Sequence, residues 1–185
     1  MISILANKFA WAKDHPTKLY KRVDFGNITM AEKTLNLIGT AGEHYVCAEL
    51  CRKGYVAVLA PKNNPLYDIV VTTVQGTKSV AIQVKTRANK QGWKLGKDME
   101  LERNNERLFV ILVNIAKANE QEFYVYRHDE FSSRLKAVYR KYINRPKRDG
   151  TARKPVEFRW FDTSNFTNDD FAKKDGWKEI EALLK

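Results

Sequence analysis

Long apolar runs are absent from this chain. Nothing approaches the roughly 18 residues that a membrane span needs, so a membrane partner is not expected. The opening MISILANKFAWAK is interrupted by Lys8 and Lys13 and has no basic region ahead of an apolar segment, so it does not read as a secretory signal. Cysteine is scarce: Cys47 and Cys51 stand four apart in a helical stretch. Two thiols are too few for a disulfide framework or a Cys-based zinc site. They read as small apolar residues of a reduced, cytoplasmic protein. Histidine is sparse too, and the spacings of His15, His44 and His128 match no nucleophile dyad or zinc motif. Internal repeats and low-complexity tracts are missing as well.

What is present is a core and a charge. The 185 residues are 43% hydrophobic and 11% aromatic, which suits one folded domain with embellishments. Lys and Arg number 33 against 22 Asp and Glu, for a net +11. Such a balance points to a polyanionic partner, nucleic acid before an anionic membrane. The excess is concentrated. Ten basic residues (Arg134, Lys136, Arg140, Lys141, Arg145, Lys147, Arg148, Arg153, Lys154 and Arg159) share their segment with only Asp149 and Glu157.

Residues 1–38 read as an N-terminal helical extension, with helical stretches near Ile2–Lys13 and Met30–Leu37. Thr40 to Lys53 reads as a helix opened by a Thr40 N-cap and stopped by Gly54. The periodicity then becomes strand-like. Tyr55–Ala60, Asp68–Val74 and Ser79–Thr86 are expected strands, the last two joined by a hairpin through Gln75-Gly76-Thr77-Lys78. A polar stretch, Arg87 to Arg107, precedes the apolar strand Leu108–Val113 and a further strand Glu122–Tyr126. Phe131–Tyr142 is an expected helix, 144–155 a basic loop and Val156–Phe161 a strand. A closing helix over 170–184 places Trp177, Ile180 and Leu184 on one face.

Alternation puts Val80, Ile82 and Val84 on one face of the return strand and Ala81, Gln83 and Lys85 on the other. Gln83 and Lys85 therefore project together, and Asp68, at the head of the partner strand, can approach the same end. A solvated face with a weak surface ion pair would look the same in sequence. Glu43 lies three residues before Val46 and seven before Leu50, on the core-seeking face of its helix. Thr40-Ala41-Gly42-Glu43 also fits a capping box, in which Glu43 only reaches back to the Thr40 backbone. Both readings of Glu43 stand at this level.

Taken together, Gly42-Glu43, Ala48-Glu49-Leu50, Arg52-Lys53-Gly54-Tyr55, Asp68-Ile69-Val70-Val71 and Ile82-Gln83-Val84-Lys85-Thr86 resemble the PD-(D/E)XK nuclease superfamily. The likeness covers about Gly39 to Tyr126 and is nearest to small prokaryotic restriction-endonuclease-like proteins. The layout is also similar to Holliday-junction resolvases and to Q-x-K homing endonucleases. Two positions depart from the pattern: no Pro precedes Asp68, where the chain reads Pro65-Leu66-Tyr67, and Gln83 replaces the usual carboxylate.

The resemblance implies an α/β restriction-endonuclease-like core over 39–126, a central mixed sheet flanked by helices, with 127–185 as a basic part packed on it. It implies Mg2+-dependent hydrolysis of DNA phosphodiester bonds, with Mn2+ as a substitute. Glu43, Asp68, Gln83 and Lys85 would be catalytic. Asp68, Gln83, the Val84 carbonyl and Glu43 would hold the metal, and Lys85 would orient the attacking water. The alternative is a DNA-binding, structure-recognising protein on the same fold without efficient catalysis.

Arg87, Lys90, Lys94, Arg140, Lys141, Arg145, Lys147, Arg148, Arg153 and Lys154 are the expected DNA contacts, with Trp93 and Lys97 beside the first three. Tyr139, Tyr142, Phe158 and Trp160 interleave with the later basics, which suits contact with sugars or unstacked bases, but their expected place is the core. A homodimer is a candidate assembly, because cutting both strands from one site usually takes two copies. Leu108–Val113 or the N-terminal extension is its expected interface.

Overall fold

A nine-residue strand that outruns its partner organises this fold. The computed structural model describes residues 30–62, 64–89, 91–117 and 119–185, with backbone alone for 30–35. The helix expected at Ile2–Lys13 lies outside them. The first element, α1, runs unbroken over Met30–Arg52. Thr40 is therefore interior to a helix, and no capping box exists there. The local Thr-x-x-Glu pattern is outweighed by helix-compatible residues on both sides of it. The stop at Gly54 is as expected: its φ of +90° and the bond from Tyr55 N–H to the Leu50 carbonyl close the helix.

Strands β1 (Val56–Leu59), β2 (Ile69–Thr72) and β3 (Ser79–Arg87) form an antiparallel meander. Gly76, at φ +70°, turns the hairpin between β2 and β3. After β3 the chain makes a short strand β4 (Trp93–Gly96) and a 3-10 turn at Lys97–Glu100. It then returns as β5 (Leu108–Lys117), parallel to β3, followed by antiparallel β6 (Glu120–Arg127). The sheet order is β1-β2-β3-β5-β6, a central mixed sheet flanked by helices in a restriction-endonuclease-like architecture.

The sheet buries both faces. Ile69, Val71, Val80, Ile82 and Val84 pack with Val46 and Leu50 of α1. Trp177, Ile180 and Leu184 complete that side, as their helical spacing predicts. The other face carries Val110, Leu112, Tyr124 and Tyr126 against Phe131, Leu135 and Val138 of α2 (His128–Asn144). Strand β7 (Phe158–Phe161) pairs with β4 on this side.

Two expectations change here. Leu108–Val113 is no interface: it sits between β3 and β6 and is at most 3% exposed, because a strand covered on both faces must be apolar throughout. The single closing helix is instead two, α3 (Asn168–Ala172) and α4 (Lys178–Leu184). Between them the Lys173 carbonyl and Asp175 N–H bond to Val125 and Phe123 of β6, which takes this backbone out of the helix.

Candidate active site

The site begins where β2 starts and β3 continues alone. Ile69 of β2 pairs with Ile82, so Asp68 stands opposite Gln83. Asp68 N–H donates to the Ile82 carbonyl at 2.8 Å, and its carboxylate accepts from Val84 N–H at 2.7 Å. Alternate strand residues send their peptide groups to the same edge, so the Val84 carbonyl lies on this edge too. From Val84 onward β3 has no strand on this side, and α1 takes its place.

The approach of α1 is very close. A Cβ on Gly42 would come within 2.9 Å of the Thr86 Cβ, and nearer still to its Oγ1 and Cγ2. Only glycine lets the helix lie against the strand here. Glu43, the next residue, is half-buried and lines a cleft of about 420 Å³ with Asp68, Thr40, Lys62 and Asn64. Burial raises its carboxyl above the ordinary 4.5, and the neighbouring Asp68 carboxylate raises it further. His44, Lys62 and Lys85 pull it back down. Two carboxylates and at least two ammonium groups thus share one electrostatic environment.

Glu43, Asp68 and Lys85 come together in this way, Lys85 half-buried on β3. Gln83 is 9% exposed and lines a small adjoining cavity with Leu66, Asp98, Arg103 and His128, rather than the Glu43–Asp68 cleft. Among the described residues its side chain makes no hydrogen bond. Glu49, also in the helix motif, is held low by a bidentate Arg52 contact at 2.7 and 2.9 Å on the surface. The oxygen donors on this edge are Asp68, Glu43 and the Val84 carbonyl, with Gln83 behind them. Lys62 and Gly42 carry parts of the site that sequence motifs did not explain. Gly42 was visible as part of Gly-Glu, but its packing partner lies 44 positions away.

The expected DNA contacts divide. Arg140, Lys141, Arg145, Lys147, Arg148 and Lys154 are exposed at the end of α2 and in the following loop, with Arg153 half-exposed over the Tyr142 ring. Lys94 is exposed, 4.9 Å from the Phe158 ring. Lys90 lies outside the described residues. Arg87 is corrected: it is 8% exposed, its guanidinium lies 4.0 Å from the Trp93 ring, and burial lowers its pKa. Trp93 is 1% exposed and donates to the Val113 carbonyl, so neither residue is placed to contact DNA. Two of the ten basics are internal partners, Arg159 bidentate to Glu100 and Arg134 bonded to Asp170. The aromatics are corrected in the opposite sense. Tyr142, Phe158 and Trp160 are 44%, 40% and 39% exposed.

No protein-family model matches the chain, and no curated protein matches it. Among solved structures it is similar to the bacterial homing endonuclease I-Ssp6803I, at 17% identity and a TM-score of 0.45, over 80% of this chain and 92% of that one. It is also similar to Hjc, a Holliday junction resolvase from the archaeal hyperthermophile Archaeoglobus fulgidus. There the identity is 20% and the TM-score 0.41, over 69% of this chain and 86% of that one. At these values neither likeness bears on the chemistry, which has to come from the side chains themselves.

Proposed function

We propose that the chain is a divalent-cation-dependent endonuclease that hydrolyses DNA phosphodiester bonds. The observation that carries this reading is the proximity of Glu43 and Asp68. Two carboxylates from separate elements, one of them half-buried, repel each other in a cleft beside Lys85 and Lys62. Repulsion of this kind works against folding, and such arrangements cluster at functional sites.

The donor set fits a hard cation such as Mg2+, with Mn2+ as a substitute: all its atoms are oxygens, and two belong to carboxylates that form no ion pair within 4.0 Å among the described residues. Asp68, Glu43 and the Val84 carbonyl would hold the ion, and Gln83 would join them by turning from its adjoining cavity. Such an ion, when bound, supplies a grip on the phosphate and a lowered pKa for water. The Val84 N–H fixes one Asp68 oxygen, and the other accepts no hydrogen bond among the described residues. Lys85 places a positive charge beside the carboxylates, where it can orient the attacking water and stabilise charge building on the phosphate. The exposed basics from Arg140 to Lys154 would hold the DNA backbone.

A second reading keeps the DNA and drops the hydrolysis. It is favoured by Gln83, a neutral amide where a third acid would sit. It is also favoured by the absence, among the described residues, of any cluster of three or more His, Cys, Asp or Glu suited to a metal. A nicking assay on supercoiled plasmid with Mg2+ or Mn2+ separates the two. The parent should nick, and Asp68→Asn and Lys85→Ala should each lose about 100-fold or more while still binding DNA. Unchanged cleavage by Asp68→Asn refutes the assigned site. Binding without cleavage of plasmid, branched junction and genomic DNA establishes the second reading.

A further inference from the structure

Strand β7 carries two of its three aromatics on the side away from the core. Burial alternates along it: Phe158 and Trp160 are exposed while Arg159 and Phe161 are buried. Tyr139 and Tyr142, one turn apart on α2, meet them across a groove of about 310 Å³ floored by Leu135 and Val138. The Tyr139 and Tyr142 rings lie nearly parallel, with 28° between planes. The walls are already held. Arg159 stacks on Tyr139 at 3.5 Å and is fixed by Glu100, and the Tyr139 hydroxyl accepts from Val156 N–H.

From this groove we propose that the α2–β7 aromatics bind an unstacked base of DNA. Planar, rigid aromatic walls over an apolar floor suit a flat ring, and large exposed aromatics gathered in one place mark a binding surface. The rim selects the rest of the ligand. Arg153 lies 4.5 Å from the Tyr142 ring, and Lys94 4.9 Å from that of Phe158. The chain on either side of Tyr142 adds exposed Arg140, Lys141, Arg145 and Lys147. The acids are engaged, Glu100 with Arg159, Asp149 with Thr151 and Glu157 with Lys97. A second copy of this cationic chain would be repelled, whereas a phosphate backbone would be drawn to the rim. Paired bases are stacked inside the duplex, so the base that enters comes from a single strand, a junction or a locally opened site. The inference rests on the DNA reading above but not on hydrolysis.

The test uses the whole chain in a chelator, with labelled oligothymidylate and a hairpin duplex of equal phosphate count as probes. Trp160→Ala and Tyr142→Ala should weaken oligothymidylate binding by about tenfold or more, while duplex affinity stays within about twofold. Trp160→Phe should retain the affinity, and with it the oligothymidylate-dependent quenching of tryptophan fluorescence should shrink. Equal weakening for both probes, or no weakening for either, overturns the proposal. So does a change in self-association in place of a change in DNA binding. Thermal melting verifies folding of each variant, and Phe158→Ser provides an independent groove change. Plasmid cleavage, measured separately against Asp68→Asn, shows whether a failure belongs to the groove or to the nuclease reading.

Discussion

Replacing Gly42 with Ala sets two known effects against each other. In an unobstructed helix interior, alanine is favoured over glycine by about 1 kcal/mol. At Gly42 the new Cβ would meet Thr86 Cγ2 at 2.8 Å and Cβ at 2.9 Å, with Oγ1 closer still. Rotating Thr86 moves Oγ1 and Cγ2 but leaves its Cβ in place on β3. The helix must then retreat by about 0.5 Å to reach ordinary contact. Overpacking of this kind costs about 1–3 kcal/mol, so a net loss of about 0–2 kcal/mol is expected after the helix gain. That lowers the melting temperature by at most about 8 °C in a chain of this size. The cleavage rate should suffer more, because Glu43 moves with the helix. If 1 Å of misplacement costs about 100-fold, half of that costs about tenfold. Melting and nicking should be measured on Gly42→Ala, on Gly39→Ala, and on Gly42→Ala combined with Thr86→Ala. A Cβ on Gly39 would meet nothing within 4 Å among the described residues, so Ala should stabilise there. Thr86→Ala removes the two closest contacts and should restore part of both losses. A Gly42→Ala protein that melts higher than the parent and nicks at full rate would refute the close approach of α1 to β3.

Glu43→Gln should raise the melting temperature in chelator at neutral pH. The folded-state pKa of Glu43 lies above its ordinary 4.5, so its contribution to stability is fullest below that value and is lost as pH rises through the folded pKa. The gain from Gln should therefore grow with pH over that window; a pH-independent difference would contradict it. Thr86 Oγ1 is buried without a hydrogen-bond partner among the described residues. Thr86→Val should stabilise by about 1 kcal/mol, seen as roughly 2–4 °C in melting. DNA affinity should fall with salt by about 0.9 log units per log unit for each phosphate contacted, and Lys141→Ala should shallow that slope by about one contact. Arg87→Ala should leave the slope unchanged and lower the melting temperature, because Arg87 packs on Trp93 in the interior.

Periodic and punctuated features of this chain were legible without coordinates. Alternation assigned Val80, Ile82 and Val84 to the core face of β3, and helical spacing put Trp177, Ile180 and Leu184 on one buried side, because each pattern is set by local backbone geometry. Gly54 ended its helix for the same reason: its positive φ is a local requirement. The mixed sheet flanked by helices was implied by the family resemblance that these residues carry, whereas the place of Leu108–Val113 between β3 and β6, and not at an interface, was not.

Everything that depended on a distant partner was decided by the tertiary structure. Strand β4 hid inside a polar stretch because what defines it is β7, whose Trp160 pairs with Lys94 66 positions on. The Thr40 capping pattern was real as a pattern and void as a cap, since α1 extends back to Met30. Arg87 carried the charge of a DNA contact, yet the Trp93 ring and the sheet buried it; Tyr142, Phe158 and Trp160 looked like core residues and faced solvent. The candidate site shows the same division. Sequence named Glu43, Asp68, Gln83 and Lys85 as residue types in order. Their arrangement depends on β3 outrunning β2 and on one glycine that lets α1 fill the space, and neither is a property of any short stretch of chain.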